Sequence, residues 1–231
     1  MTKPLFLLPL LGLGLAGCSS DLDRPAELNF GIGLGAVELD GEGDFPDDPI
    51  IGDGPQFSGR FNVGVEVPVV DVDGNGSGPR LGGRLGVTYA REDVGSRNVA
   101  GEPLLEIEDF VDLALYTPQF VATYRQYFGN DADDGAFFLE PGVGIGPAVG
   151  VMGFGSDFQF GNSTLGRDIG DTETEVGLGI QPFLRVGYDT GPVILAGEGG
   201  VLFTNLNYED DLGRDPREAY LGFFLGIKLG H

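Results

Sequence analysis

Large apolar side chains occupy every second position through eight separate stretches of the chain, about 28–39, 56–71, 80–91, 105–128, 136–152, 175–188, 193–206 and 218–230. A period of two is that of a β-strand, whose successive side chains point to opposite faces. In FSGRFNVGVEVPVV, Phe57, Phe61, Val63, Val65, Val67 and Val69 fall on one face, and Ser58, Arg60, Asn62, Gly64 and Glu66 on the other. The stretch FFLEPGVGIGPAVGV separates Phe137, Leu139, Val143, Ile145, Val149 and Val151 from Glu140, Gly142, Gly144, Gly146 and Gly150. Residues 176–187 repeat the split. Only the fourth stretch loses phase, near Pro118, and a bulge is expected there because proline removes a ladder donor.

The connections alternate as well. Residues 72–79, 129–135 and 189–192 are short, whereas 40–55, 92–104, 153–174 and 207–217 are longer. No internal stretch reaches the roughly 18 consecutive apolar residues of a membrane helix, so a membrane crossing has to be made by strands.

Alternation alone fits a soluble barrel with its apolar face inward as well as a barrel with that face against lipid. Two considerations favour lipid. An eight-stranded interior is only just wide enough to be filled by side chains, and so many Phe, Leu, Ile and Val would overfill it. The opposite face is mostly glycine, with Arg60, Glu66, Arg84, Glu140, Arg185, Glu198 and Lys228 spread along it. Glycine within a strand costs roughly 0.5–1 kcal/mol relative to alanine and adds no solubility, whereas in a narrow lumen small residues let the barrel close while the charges pair. None of those seven charges lies on the apolar face, where a Lys or Arg would cost ~2–4 kcal/mol at the bilayer midplane. The expected fold is all-β, an eight-stranded antiparallel up-and-down transmembrane β-barrel over residues 28–231.

The opening, MTKPLFLLPLLGLGLAGCSS, carries one early charge, Lys3, and an apolar run from Leu5 to Ala16. That run is too short to span a bilayer and suits a secretory signal. It ends in Leu15-Ala16-Gly17-Cys18, which resembles the bacterial lipoprotein lipobox. The resemblance implies a signal peptide over 1–17, acylation of Cys18, a tether over 18–27 and, with Ser19 following, sorting to the outer membrane. Cys18 is the single cysteine, so no intramolecular disulfide forms. Acidic residues outnumber basic ones 36 to 13, for a net charge of −23. That balance excludes nucleic acid as a partner, because phosphate backbones are held by clustered Lys and Arg.

With FLEPGVGIG and the terminal AYLGFFLGIKLG as its most characteristic stretches, the barrel region resembles the eight-stranded outer-membrane β-barrel family of the OmpA transmembrane domain and its OmpX-like relatives. The resemblance implies the outer membrane of a diderm bacterium, both termini in the periplasm, contact with outer-membrane lipids, and passage through the barrel-assembly machinery. The chain departs from the family in ending on His231 rather than an aromatic residue, and in having no Trp. Tyr89, Tyr124, Tyr188 and several Phe are left to form the interfacial girdles.

No G-x-S-x-G elbow, phosphate loop or HExxH occurs. His231, the single histidine, is the last residue; a general base needs a fixed partner and a substrate pocket, and no catalytic residue is expected. DVDGNG, residues 71–76, resembles the opening of a calcium loop, but its twelfth position is Gly82 rather than Glu, and a solvated turn is expected. No metal and no cofactor enter the reading. Residues 40–55 hold Asp40, Glu42, Asp44, Asp47, Asp48 and Asp53 without a basic residue, an acidic loop open to solvent or to an extracellular partner. The expected function is structural, adhesive or porin-like and non-catalytic, with the lumen largely plugged by its charged residues. The alternatives are a narrow pore for small solutes, or a lipid-anchored soluble barrel that binds an apolar ligand.

Overall fold

The computed structural model describes residues 25–40, 55–98, 105–129, 135–160, 163–206 and 214–229. Cys18 with the signal segment, most of the 40–55 loop, and His231 lie outside the described residues. Eight strands follow one another: β1 (Glu27–Asp40), β2 (Gln56–Pro68), β3 (Gly78–Asn98), β4 (Leu105–Phe128), β5 (Ala136–Phe160), β6 (Ser163–Asp189), β7 (Val193–Thr204) and β8 (Arg214–Lys228). Each pairs antiparallel with its neighbour in sequence, and β1 closes on β8, so Phe30 stands opposite both Val63 and Leu225. Closure leaves the pairing rows without an edge, which is what a strand structure requires in hydrocarbon.

The barrel is polar inside and apolar outside. Leu221 is 73% and Phe223 80% exposed, whereas Arg125 and Arg185 are 0% exposed. This distribution is the reverse of a water-soluble domain and is that of a membrane barrel. It overturns the alternative of a soluble barrel with an apolar pocket inside. From Phe57 to Val67 the outward row of β2 runs about 33 Å along the strand, or about 25 Å of membrane normal at a tilt of about 40°. Tyr89, Tyr124 and Tyr188 point outward from the barrel wall.

Two expectations are corrected by the pairing. No bulge occurs at Pro118: Arg84, Leu85 and Gly86 face Gln119, Pro118 and Thr117 in unbroken register. On the other side, Tyr116 pairs with Val149 and Phe120 with Ile145 at the same offset. The ladder is interrupted between them because Pro118 and Pro147 stand opposite each other and neither has an N–H to donate. The phase only seemed lost because β4 puts apolar residues inside as well: Leu113, Leu115 and Val121 share the inward face with Thr117, Gln119 and Arg125.

The second correction concerns the connections. Most of 153–174 is strand rather than loop, as β5 runs on to Phe160 and β6 begins at Ser163; β3 likewise continues to Asn98. Beyond the membrane both faces meet water and hydrophobic alternation disappears, yet the antiparallel ladder needs no such pattern to continue. Strands β3 to β6 therefore rise past the others, since β2 pairs with β3 only up to Ala90, and β7 with β6 only from Gly179 onward.

Several inward glycines sit where adjacent backbones come too close for a side chain. A Cβ on Gly146 would lie 2.0 Å from the Pro118 carbonyl oxygen, whereas one on Gly59 would meet nothing within 4 Å. Gly146→Ala is expected to lower the fraction of protein that shows the fast-migrating, heat-modifiable form on cold SDS gels, and Gly59→Ala to leave it at the wild-type level. Equal behaviour of the two would show that the close approach at Pro118 is not a constraint on folding.

Candidate functional site

The inward faces converge on a layer of ionic groups near mid-barrel. Arg185 on β6 is its hub: Nη1 donates to both oxygens of Glu66 (2.8 and 3.0 Å) and to Glu140 Oε1 (2.8 Å), and Nε donates to Glu198 Oε2 (2.7 Å). Glu198 on β7 also accepts from Arg84 Nη1 at 2.8 and 3.0 Å and from the Tyr220 hydroxyl at 2.8 Å. Arg125 on β4 bonds Glu140 through Nε and holds Glu27 with a bidentate pair at 2.9 and 3.0 Å, while Arg80 reaches the same Glu27 at 2.7 Å.

The network continues in both directions along the axis. Toward the short turns, the Tyr127 hydroxyl donates to Asp189 at 2.6 Å, and Lys228 Nζ lies 3.0 Å from the same carboxylate. Toward the longer connections, Gln181 links Tyr220 to Arg60, whose Nη2 donates to Gln181 Oε1 at 2.7 Å. Arg60 pairs with Glu218, which also accepts from Thr88 at 2.8 Å and from Ser58 at 3.3 Å.

All seven charges singled out from the sequence, Arg60, Glu66, Arg84, Glu140, Arg185, Glu198 and Lys228, point into this lumen. The structure adds Glu27, Arg80, Arg125, Asp189 and Glu218, making six cations and six carboxylates, none with a side chain more than 6% exposed. Extending the two-residue period by one step would have found Glu27 and Asp189; Glu218 already shares the parity of Lys228, and Arg80 that of Arg84. Arg125 was hidden by its apolar neighbours on the inner face of β4.

Apolar layers cover the network at both ends. Toward the longer connections lie Val37, Val111, Leu113, Leu115, Met152, Leu202 and Leu206, all at most 1% exposed. Toward the turns lie Tyr127, Phe138, Ile194 and Phe224. Guanidinium groups rest on the rings at the boundary, with Arg185 4.0 Å above Phe224 and Arg125 4.6 Å above Phe138. The cavity lined by Asn29, Asn62, Arg84, Arg185 and Glu198 measures about 10 Å³, close to the least that holds one water. At this level of the barrel the ionic and aromatic side chains leave little open space.

The DVDGNG turn assembles differently from a cation site. Asp71 accepts the N–H groups of Gly74 (2.9 Å) and Gly76 (3.1 Å), and Asp73 those of Asn75 (3.0 Å) and Ser77 (3.2 Å). Both carboxylates face the backbone of their own turn, which Gly74 and Gly76 enter with positive φ. Among the described residues no group of three or more His, Cys, Asp or Glu could hold a metal ion. The Ser77 hydroxyl, with the Asn75 and Ser77 amides, holds the Asp73 carboxyl below the usual carboxylate range.

No protein-family model matches the chain, and no curated protein matches it. Among solved structures it is similar to Ail, the attachment invasion locus protein of Yersinia pestis, at 11% identity over 89% of this chain and 99% of that one, with a TM-score of 0.43. It is similar to Neisserial surface protein A at 14% identity over 88% and 97%, with a TM-score of 0.42. The outer membrane enzyme PagL matches at 15% identity over 87% and 99%, with a TM-score of 0.35.

Arg185→Met is expected to destabilise the barrel by about 3–5 kcal/mol, because it strands Glu66, Glu140 and Glu198 beside fewer cations in a buried layer. Urea unfolding in lipid vesicles reads the loss, and an unchanged midpoint would sink the hub role. For Asp73 the folded pKa is lowered, so its contribution to the turn is present above the unfolded value of ~3.9. That contribution is lost as pH falls through the lowered folded value. The Asn75 and Ser77 amide signals should hold steady at neutral pH and shift in acid, and Asp73→Asn should abolish that acid shift. The chain's own geometry establishes a closed eight-stranded up-and-down barrel with an apolar exterior, a charge-balanced interior and a four-stranded extension at one end.

Proposed function

We propose that this chain is an outer-membrane protein whose barrel is a closed anchor, and whose working part is the sheet formed by β3 to β6 beyond the membrane. Its role is structural or adhesive, without catalysis. The observation that carries the reading is the sealed lumen: a neutral ionic layer closed at both ends by apolar side chains, with a residual cavity close to the least that holds one water. The plug is thus apolar as well as ionic, since water and ions would have to cross Leu113, Leu115 and Leu202 as well as break the salt bridges.

In this reading the short turns and both termini face the periplasm and the extended strands face outward, the arrangement usual for outer-membrane barrels. A lipid on Cys18 fits it, because residues 19–27 can extend about 30 Å at ~3.3 Å each. The belt of Phe, Leu, Ile and Val meets outer-membrane lipids, and the barrel-assembly machinery would insert the chain.

Purified protein in planar bilayers is expected to give no discrete current in concentrated potassium chloride. Stable single-channel steps would overturn the closed anchor and favour a narrow pore.

A further inference from the structure

The turn between β2 and β3 carries chemistry that the closed barrel does not use. In DVDGNG, Asp73 precedes Gly74 and Asn75 precedes Gly76, and Asn75–Gly76 is the single Asn–Gly pair in the chain. An asparagine followed by glycine is the arrangement most open to self-cyclisation, because no side chain crowds the glycine nitrogen. That nitrogen attacks Cγ of the asparagine and a succinimide ring closes. Its proton passes through water to the departing side-chain nitrogen, which leaves as ammonia. One water molecule then opens the ring, giving aspartate or, with one more methylene in the main chain, isoaspartate. Residues 71–75 are exposed, so water reaches both stages.

The attacking nitrogen is already engaged in the folded turn. The Gly76 N–H donates to both oxygens of Asp71, at 3.1 and 3.2 Å, and the Gly74 N–H donates to Oδ1 of the same carboxylate at 2.9 Å. A carboxylate bonded to an amide opposes loss of that amide's proton, since the anion that must form would stand against a negative charge. It is also far too weak a base to take the proton itself. The bonds fix the backbone besides, with Gly74 and Gly76 at φ 75° and 92° and Asp73 binding the Asn75 and Ser77 amides. Ser77 ties the turn to the barrel, its hydroxyl accepting the Tyr127 N–H at 3.0 Å.

We infer that Asn75 is a deamidation site that Asp71 keeps closed by holding the Gly76 N–H. Through the Gly74 N–H the same carboxylate guards Asp73–Gly74 against the equivalent cyclisation. Deamidation places a third carboxylate beside Asp71 and Asp73, or lengthens the backbone between Asp73 and Ser77, and either product disturbs the bonds that shut the turn. Loss of ammonia is irreversible, so the modified fraction records how long the turn has spent open.

The test incubates the full-length protein in lipid nanodiscs at mildly alkaline pH and follows the tryptic peptide 61–80 by mass spectrometry, with fragment ions assigning the change to residue 75. Folded wild type should deamidate there at least about tenfold more slowly than the same chain unfolded in urea. Asp71→Ala should raise the folded rate by a similar factor and speed hydrogen exchange at the Gly76 amide, while retaining the heat-modifiable barrel. Asp73→Ala, which removes the bonds to Asn75 and Ser77 but not those to Gly76, should stay nearer the wild-type rate. Deamidation of folded wild type at the unfolded rate overturns the inference. So does an Asp71→Ala rate equal to that of wild type, or a slower one, which would show the carboxylate assisting attack. Equal acceleration by Asp71→Ala and Asp73→Ala also overturns it, because the general order of the turn, and not the grip on Gly76, would then set the rate.

Discussion

A backbone amide in hydrocarbon has no water to bond, so a chain of strands can cross a bilayer only if every ladder finds a partner and the last strand returns to the first. The β1–β8 pairing from Glu27 to Asp40 meets that requirement here, and most of the structure depends on it. Closure on eight strands fixes a narrow interior, and the narrow interior explains the glycines. At Gly146 the neighbouring backbone stands where a side chain would begin. The same closure commits the inward residues to one another, because nothing else can reach them.

Those inward residues are charged, and their cost is contained by pairing every ion with at least one of opposite sign, although Arg60, Arg84 and Arg185 each keep a guanidinium nitrogen without a hydrogen-bond partner. Burying six cations and six carboxylates is expensive for each ion taken alone, and breaking one pair is worse than never having built it. The lumen manages this by sharing: Glu198 accepts from two arginines and a tyrosine, and Glu27 from two arginines. Aromatic rings beneath Arg125 and Arg185 finish the layer where carboxylates run out. The apolar layers above and below keep water away from the ion pairs, so the seal and the network support each other.

Neutrality inside has a consequence outside. A chain with net charge −23 whose lumen carries none concentrates its acidity in the turns, the N-terminal segment and, above all, the extended end. The wall is lopsided there, with four strands continuing after the other four have stopped. Within the membrane an unpaired rim would be prohibitively costly, whereas in water strands can run on to different heights.

Strand number, strand order and the sense of each face could be read from the sequence, because lipid on one side and a tight lumen on the other impose strict alternation, and a one-residue slip would invert it. FSGRFNVGVEVPVV needed no coordinates to be sorted into two faces. Where that environment ends, legibility ends too. Residues 153–174 read as loop because water on both faces removes the alternation, although the hydrogen-bonded ladder continues. β4 read as broken because its inner face carries leucines that seal the lumen, and neither Arg125 nor the apolar layer could be placed until the barrel closed. Which carboxylate meets which guanidinium, with partners as far apart in sequence as Arg60 and Glu218, is decided by register and shear across eight strands. Sequence periodicity determines which way a side chain points; only the closed tertiary structure determines what it meets there.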